Sequence, residues 1–419
     1  MHASRRFWPS RILSLLPLSL LSLTPLAGCW SEVPPPTEYT WTLPLGFPAP
    51  PIPEDNPMYV EKVELGRRLF YDTRMSGNQT YSCATCHLQS LAFTDGLAHA
   101  EGSTGEIHRR SAMSLVNVAY APSLTWVNPL VRTLEEQALL PMFGTEPVEL
   151  GLADQEQALL ERLSAELEYQ QLFQVAYPEV NGEISVNTIV KSLAAFQRTL
   201  ISGNSPYDRY VYQRETTALS DAAKRGLDLF FSEKLECYHC HGSFNLTDSV
   251  TVAGSAFTEL PFHNNGLYNL DGEGAYPLRD QGLIELTGEE DDMGNFRAPS
   301  LRNVAVTAPY MHDGSLATLD DVLDHYAAGG RTILEGPDAG VGATNPYKSE
   351  LLRGFTLSEQ ERADVLAFLN SLTDEEFLTD PRFSDPFAVE RTPAAGSSTA
   401  RISAGFGSTS GKVEREAPR

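Results

Sequence analysis

Cysteine is scarce in this sequence, with five residues in a chain of 419. Four of the five form two pairs of identical spacing, and each pair is followed at once by a histidine. The fifth, Cys29, lies near the N-terminus. Because the pairs have the pattern of a cofactor or metal site, no cysteine remains for a disulfide. We therefore exclude a disulfide-stapled domain and expect the core and a bound cofactor to stabilise the fold.

Basic residues are also few. The chain has 31 lysines and arginines against 55 aspartates and glutamates, which gives a formal net charge of −24. A protein that binds nucleic acid presents a basic surface to the phosphates, so this class is excluded. An acidic surface is commonly only solvated, but it can also orient a basic partner protein.

An apolar run long enough to span a membrane is missing as well. Residues 12–26 are apolar but are interrupted by two prolines, and three arginines precede them. This is the pattern of an export signal over residues 1–28, whose removal changes the net charge from −24 to −27. The sequence Leu-Ala-Gly-Cys at its end resembles a bacterial lipobox and predicts that Cys29 carries a lipid anchor in the outer membrane. The alternative is an ordinary signal peptide with an incidental cysteine.

The two cysteine pairs carry the most specific signal. They are Cys83-Ala84-Thr85-Cys86-His87 and Cys237-Tyr238-His239-Cys240-His241. In C-x-x-C-H each thiol can form a thioether to a haem vinyl group, and the histidine then lies under the iron as its axial ligand. A single such segment also fits half of a zinc site, but two of them predict two covalently bound c-type haems. Attachment of c-type haem outside the bacterial cytoplasm agrees with the export signal.

Other features repeat with the cysteine pairs. A helix is predicted before each pair, over residues 60–71 and over 222–231, where Ser220 is a candidate N-cap. After each pair, residues 112–119 and 298–305 agree at six of eight positions. This repetition predicts a mainly α fold of two cytochrome c-like haem domains that are related by internal duplication and have long loops.

The predicted boundaries follow composition and helix pattern. An amphipathic helix over 186–200 closes the first haem domain, and a helix over 356–372 closes the second. The predicted division is as follows: signal peptide 1–28, proline-rich extended tether 29–56, N-terminal haem domain 57–203, C-terminal haem domain 204–385, and a disordered Ser-, Gly- and Ala-rich tail 386–419.

The body of the chain, about residues 56–385, resembles the bacterial dihaem cytochrome c peroxidase and MauG family. The segments that carry the resemblance are Cys83–His87, Phe93–Gly96, Leu134–Leu139, Pro147–Glu149 and Ala298–Gly314. Two further segments, Trp126–Pro129 and Phe143–Glu149, are most similar to the MbnH branch.

The resemblance implies an enzyme that reacts with hydrogen peroxide and uses high-valent haem iron to oxidise a partner protein. In the MbnH branch the oxidised residue is a tryptophan of a periplasmic copper-binding protein, and kynurenine or a similar product is expected. One alternative is a conventional dihaem peroxidase that takes electrons from a small cytochrome or copper protein. Another is an electron-transfer cytochrome with two six-coordinate irons and no distal acid.

At the second haem the resemblance places Tyr326 where conventional peroxidases have a methionine ligand. A phenolate is a hard oxygen donor and stabilises high-valent iron, whereas a thioether favours Fe(II). In the alternative, Tyr326 is a core aromatic residue and Met311, Met293 or His325 binds the iron.

At the first haem the resemblance implies a peroxide pocket formed by Gln137, Pro141 and Glu149. A partly buried carboxylate such as Glu149 can move a proton between the two peroxide oxygens. Conventional peroxidases block this site with a second histidine, for which His99 and His108 are the candidates. We expect an open site; the alternative to a blocking role is that both histidines are simply exposed loop residues.

Two more roles follow from the resemblance. Trp126, expected to be the only tryptophan of the folded body, would relay electrons between the haems; the alternative is a core tryptophan with a satisfied N–H. Asn117, Thr307 and Pro309 match calcium ligands between the haems, and oxygen donors suit that cation. The acidic residues 289–292 are interpreted as a solvated loop.

Overall fold

The computed structural model describes residues 34–388. The described chain from Pro35 onward groups into one compact unit. The predicted signal peptide, Cys29 and nearly all of the predicted tail lie outside the described residues. Within residues 34–388, no helix combines the length and the apolar character that a membrane span requires.

The prediction of a mainly α fold is confirmed. The helices are α1 (Val60–Tyr71), α2 (Cys83–Cys86), α3 (Leu134–Phe143), α4 (Glu156–Ser164), α5 (Leu167–Ala176), α6 (Val186–Arg198), α7 (Pro206–Val211), α8 (Asp221–Phe230), α9 (Tyr238–His241), α10 (Ile284–Thr287), α11 (Leu319–Ala327) and α12 (Glu359–Asn370). Two antiparallel pairs of short strands join β1 (His263–Asn264) to β2 (Asn295–Phe296) and β3 (Thr332–Ile333) to β4 (Gly340–Val341). Short 3₁₀ turns cover Thr73–Met75, Gln89–Leu91, Val118–Tyr120, Pro178–Val180, Glu290–Asp292, Val304–Val306, Gly342–Thr344 and Phe377–Thr379.

The predicted helices lie close to their observed ends. Helix α1 has the predicted bounds, and Ser220 caps α8 by accepting a hydrogen bond from the backbone N–H of Ala223. The closing helix α12 begins later than predicted because Ser358 caps it and forms a reciprocal capping box with Glu361. Residues 356 and 357, which precede this cap, therefore belong to the preceding loop.

Each half of the molecule contains a close crossing of two helices. In the first half α1 crosses α6, and a Cβ atom on Gly66 would lie 1.9 Å from the carbonyl oxygen of Ser192. In the second half α8 crosses α12, and a Cβ on Gly226 would lie 1.9 Å from the carbonyl oxygen of Asp364. Only glycine permits such an approach of backbones. Because both halves contain such a helix crossing at a glycine, the structure supports the predicted internal duplication, which stays a prediction.

Each haem motif packs against its own hydrophobic cluster. The first includes buried residues of α1, α5 and α6, and Cys83 packs against it. The second is built from α8, α11 and α12, and Cys237 packs against it. Each motif is thus held on the surface of its own core, which positions the cysteine and histidine side chains.

The repeated segments meet at one buried serine, Ser202. Asn117 and Asn303 both adopt left-handed backbone conformations, with φ of 56° and 60°. The side-chain oxygen of Asn117 accepts a hydrogen bond from the N–H of Ser202 at 2.8 Å, and the amide of Asn303 donates to Ser202 Oγ at 3.0 Å. The boundary predicted after residue 203 therefore falls beside a contact between the two repeats.

The structure differs from the predicted tether over its described part. Phe47 is only 8% exposed, its ring centroid lies 5.0 Å from that of Phe244, and the Arg302 guanidinium stands over it. The hydroxyl of Tyr120 donates to the Pro48 carbonyl at 2.7 Å. Burial of the aromatic ring and these polar contacts hold the proline-rich segment on the body.

One consequence concerns the tryptophans. Trp41 lies in this packed segment, half-buried, with its ring centroid 5.1 Å from that of Tyr39. The prediction that Trp126 is the only tryptophan of the folded body is therefore wrong.

Candidate functional site

The first haem motif forms a single helical turn, α2, that is capped by Ser82. His87 follows it, and its Nδ1 lies 2.8 Å from the carbonyl oxygen of Phe93. A ring whose Nδ1–H donates to a carbonyl keeps the lone pair of Nε2 for a metal. Burial also lowers the pKa of His87, so the ring is neutral, as an iron ligand must be. The side chains of the motif therefore fit a c-type haem.

The three predicted residues of the peroxide pocket lie on two connected segments. Gln137 and Pro141 are four residues apart on α3 and so share one face. Pro141 has no N–H, which leaves the carbonyl of Gln137 without its usual partner in the helix. The N–H of Leu150 donates to the Pro141 carbonyl at 2.9 Å and ties the segment with Glu149 to this helix.

Glu149 lies close to the first cysteine pair. Burial, and after it the charges of Cys86 and Glu149, raise the pKa of Cys83 to about 12. Desolvation by the surrounding protein raises the pKa of Glu149 itself to about 7. Its side chain is nevertheless 41% exposed, so a small molecule can reach the carboxyl group. A carboxyl that titrates near neutral pH is suited to accept and return a proton.

The two candidate blocking histidines occupy different places. His108 is half-buried, and its Nε2 lies 4.0 Å from Oε1 of Glu149. His99 lies instead on the wall of a second cavity of about 380 Å³, and its Nδ1 is buried without a hydrogen-bond partner. Both histidines are partly buried, so neither is a fully exposed loop residue. Whether the first site is open stays a prediction.

The second haem motif opens onto a cavity of about 440 Å³. Both cysteines, His241 and Tyr326 lie on its wall, and the cavity is mostly apolar. Burial lowers the pKa of His241, so this ring is also neutral. An apolar cavity that gathers two thiols, an imidazole and a phenol fits a covalently attached haem with two axial donors.

The structure distinguishes among the four candidates for the second axial ligand of the second haem. Tyr326 and Met311 both line the cavity, whereas His325 and Met293 are not among its described lining residues. The sulfur of Met311 accepts a hydrogen bond from the side-chain amide of Asn265 at 3.2 Å. Burial raises the pKa of Tyr326 to about 12, and a hydrogen bond with Asn265 opposes that shift. The choice between tyrosine and methionine stays a prediction.

Trp126 lies on the wall of the same cavity. Its ring N–H donates to the carbonyl of Ser111 at 3.1 Å, and its own carbonyl accepts from the N–H of Arg297 at 2.9 Å. The satisfied N–H agrees with a packing role, and the position on the cavity agrees with a relay.

The three predicted calcium ligands also line this cavity. The side-chain oxygen of Asn117 accepts from Ser202, and its amide donates to the Ser202 carbonyl at 3.0 Å and to Asn245 Oδ1 at 2.9 Å. An amide oxygen has two lone pairs, so Asn117 Oδ1 can keep the bond from the Ser202 N–H and still offer a lone pair to a cation. The predicted calcium site, with Thr307 and Pro309, stays a prediction.

One charged pair beside the second motif was not predicted, because no pattern in the sequence indicates it. His263 Nε2 lies 2.6 Å from Asp248 Oδ2, and the Asp248 N–H donates to the Cys240 carbonyl at 2.8 Å. Burial opposes the charged form of His263, but the hydrogen bonds to Asp248 and Cys240 outweigh it and raise its pKa to about 10. The loop between the two residues brings them together, and their spacing of fifteen residues fits no local motif.

Two C-x-x-C-H motifs, each on its own helical core and each ending in a half-buried neutral histidine, define a dihaem c-type cytochrome. The family profile described as di-haem cytochrome c peroxidase matches residues 60–216. Cytochrome-c peroxidase IdrP1 of Denitromonas iodatirespirans is 34% identical over 363 residues, which cover 82% of this chain and 88% of the relative. The chain belongs to the di-haem cytochrome c peroxidase and MauG family of oxidoreductases.

Two further relatives lie closer to the MauG side of the family. The methylamine utilization protein MauG of Methylorubrum extorquens is 35% identical over 327 residues, which cover 78% of this chain and 82% of the relative. A solved structure of a MauG-like protein associated with microbial copper homeostasis is 50% identical. It superposes with a TM-score of 0.81 and covers 83% of this chain and 99% of that chain.

Proposed function

We propose that this protein uses hydrogen peroxide to oxidise a tryptophan of a partner protein in the bacterial periplasm, to kynurenine or a related product. The observation that carries the proposal is the position of Tyr326 on the wall of the cavity that also holds His241, Cys237 and Cys240. A hard oxygen ligand favours stored oxidising equivalents over a reduced iron that only passes electrons. The 50% identical structure associated with copper homeostasis supports a copper-binding protein as the partner.

In this proposal the first site handles the protons of peroxide. When bound, the two haems would supply the redox chemistry, since iron and porphyrin can give up the electrons that reduce peroxide. Glu149, with a pKa of about 7, takes a proton from the near oxygen of peroxide and delivers it to the departing one. The side-chain amide of Gln137 orients the peroxide from the same face of α3 as Pro141.

The second site supplies the oxidising equivalents to the partner. Trp126, on the wall of the second cavity and bonded to Ser111, connects the two haem sites. His87 and His241 would each hold a haem iron, and Tyr326 would also bind the iron of the second haem. Asn117, Thr307 and Pro309 would hold a calcium ion. The diacylated Cys29 keeps the enzyme at the outer membrane.

The experiment uses the full, haem-loaded protein with a candidate partner, an exported copper-binding protein sought among the products of neighbouring genes. Intact and peptide mass spectrometry of that partner, with and without peroxide, should show oxygen added to one tryptophan. Glu149→Gln should abolish the product, while Glu146→Gln, on an exposed residue of the same segment, should keep it.

A conventional peroxidase is the second candidate, because relatives such as the one from Denitromonas iodatirespirans have that name. It predicts rapid, peroxide-driven oxidation of a reduced small cytochrome and no change in the mass of the partner. That pair of results would replace the tryptophan proposal.

A further inference from the structure

A group of aromatic residues leads away from Trp126 toward the surface. Trp126 packs against a buried cluster that includes Phe296, Tyr276 and Tyr268. The ring centroids of Phe296 and Tyr276 are 6.3 Å apart, and those of Tyr276 and Tyr268 are 5.4 Å apart. Electronic coupling falls steeply with distance and is stronger through packed side chains than across a gap, so this cluster favours electron transfer between Tyr268 and Trp126.

The last tyrosine differs from the one before it in its proton acceptor. The hydroxyl of Tyr268 donates to Oδ2 of Asp313 at 2.6 Å, while that of Tyr276 donates to the amide oxygen of Asn264 at 2.9 Å. A phenol that loses an electron becomes strongly acidic and must release its proton. A carboxylate can take that proton, whereas an amide oxygen is too weak a base. Tyr268 is therefore the ring in the group on which an oxidising equivalent can rest.

Tyr268 and Asp313 also lie on the wall of the 380 Å³ cavity, which shares no lining residue with the haem cavity of 440 Å³. Tyr268 is only 4% exposed, so a substrate in the cavity would not touch its ring. The electron would pass over the short distance from the substrate to Tyr268. Ile333 and Arg279 line the cavity, and their sequence neighbours Leu334 and Leu278 are 86% and 90% exposed. Exposed apolar side chains beside a polar cavity suit contact with an aromatic side chain.

We propose that Tyr268 and Asp313 form the exit through which the enzyme oxidises an electron-rich ring, a phenol or an indole, at this cavity. The proposal rests on the proposed function, because hydrogen peroxide at the haem sites is the oxidant. In each pass Tyr268 gives one electron toward Trp126 and its proton to Asp313. The substrate ring then returns one electron to Tyr268, the proton moves back from Asp313, and the substrate releases a proton to solvent. Two passes supply the electrons that, with two protons, reduce one hydrogen peroxide to two waters.

The first test looks for the tyrosyl radical in the full haem-loaded protein. Protein frozen shortly after peroxide addition should give a tyrosyl signal in electron paramagnetic resonance, narrowed when the protein is grown with ring-deuterated tyrosine. A nitroso spin trap followed by peptide mapping should place the adduct on Tyr268. Tyr268→Phe should remove the signal, and Asp313→Asn should weaken it strongly.

Tyr177→Phe is the matched control, because this buried hydroxyl donates to the backbone carbonyl of Thr188 and lies outside the aromatic group. It should leave the radical unchanged. A spin-trap adduct on another residue of the wild-type protein would overturn the proposal even if Tyr268→Phe failed to fold.

The second test adds a small phenol as substrate. Tyr268→Phe should lose peroxide-driven oxidation of the phenol while the haem absorbance still responds to peroxide at the wild-type rate. If Tyr268→Phe oxidised the phenol at the same rate as the wild type, the proposal that Tyr268 is the exit would be overturned. A radical on Tyr268 together with an unmodified partner protein would instead overturn the proposed partner and leave the exit standing.

Discussion

Nε2 of His108 lies 4.0 Å from Oε1 of Glu149, the carboxyl predicted to act on peroxide. Burial lowers the pKa of His108, so the ring is neutral near pH 7 and does not stabilise the carboxylate as a cation would. The loop that carries this histidine is fastened to the glutamate segment, since the Ser103 N–H donates to the Glu149 carbonyl at 2.7 Å. Desolvation of Glu149 is therefore uncompensated, which explains why its pKa rises to about 7.

This arrangement predicts a pH dependence for the reaction with peroxide. Glu149 must be ionised to accept the peroxide proton, so kcat/KM for peroxide should fall as the pH drops through about 7. Stopped-flow measurement of the haem absorbance change across pH 5–9 (about two units either side) checks this. Glu149→Gln should lower the rate roughly 10²–10⁴-fold and flatten the profile. If the wild-type rate did not change with pH, or if Glu149→Gln left the pH profile unaltered, a group other than Glu149 would be the one that accepts the peroxide proton.

A second prediction concerns Tyr326. If its phenolate binds the second iron, ferric protein should show one high-spin and one low-spin haem in electron paramagnetic resonance. Tyr326→Phe should then alter the low-spin signal, because the oxygen donor is lost and the cavity keeps its shape. Met311→Leu is the comparison, since Met311 lines the same cavity and should leave the low-spin signal as it is. If Met311→Leu altered the low-spin signal and Tyr326→Phe left it unchanged, methionine would be the ligand.

The helix crossings give a prediction about stability. Gly66→Ala and Gly226→Ala each place a methyl group 1.9 Å from a carbonyl oxygen of the partner helix, so the helices must separate. Overpacking of this kind costs about 1–3 kcal/mol, and more where backbone must move. Asp228→Ala, on the exposed side of α8, should change stability by less than about 0.5 kcal/mol. Thermal unfolding of the four haem-loaded proteins compares them, and equal midpoints would show that the crossings tolerate a side chain.

Local signals in the sequence predicted the helices well because they act over a few residues. The cap at Ser220 and the bounds of α1 are examples, and both are confirmed. The C-x-x-C-H motifs predicted the haem sites for the same reason. Their chemistry is complete within five residues.

Contacts between distant segments could not be predicted in this way. The proline pattern of residues 34–56 indicated an extended chain, and nothing local showed that Phe47 packs beside Phe244. Likewise, Tyr268 and Asp313 are forty-five residues apart, and only the fold makes them hydrogen-bond partners. Long-range packing decided each of these outcomes.

The haem content of the intact protein tests the account most directly. Both proposals depend on two covalent haems, one on each motif. A pyridine haemochrome assay on purified, full-length protein should find two c-type haems per chain. The double variants Cys83→Ala/Cys86→Ala and Cys237→Ala/Cys240→Ala should each retain one. A single haem in the unaltered protein, or two haems in either variant, would contradict the account.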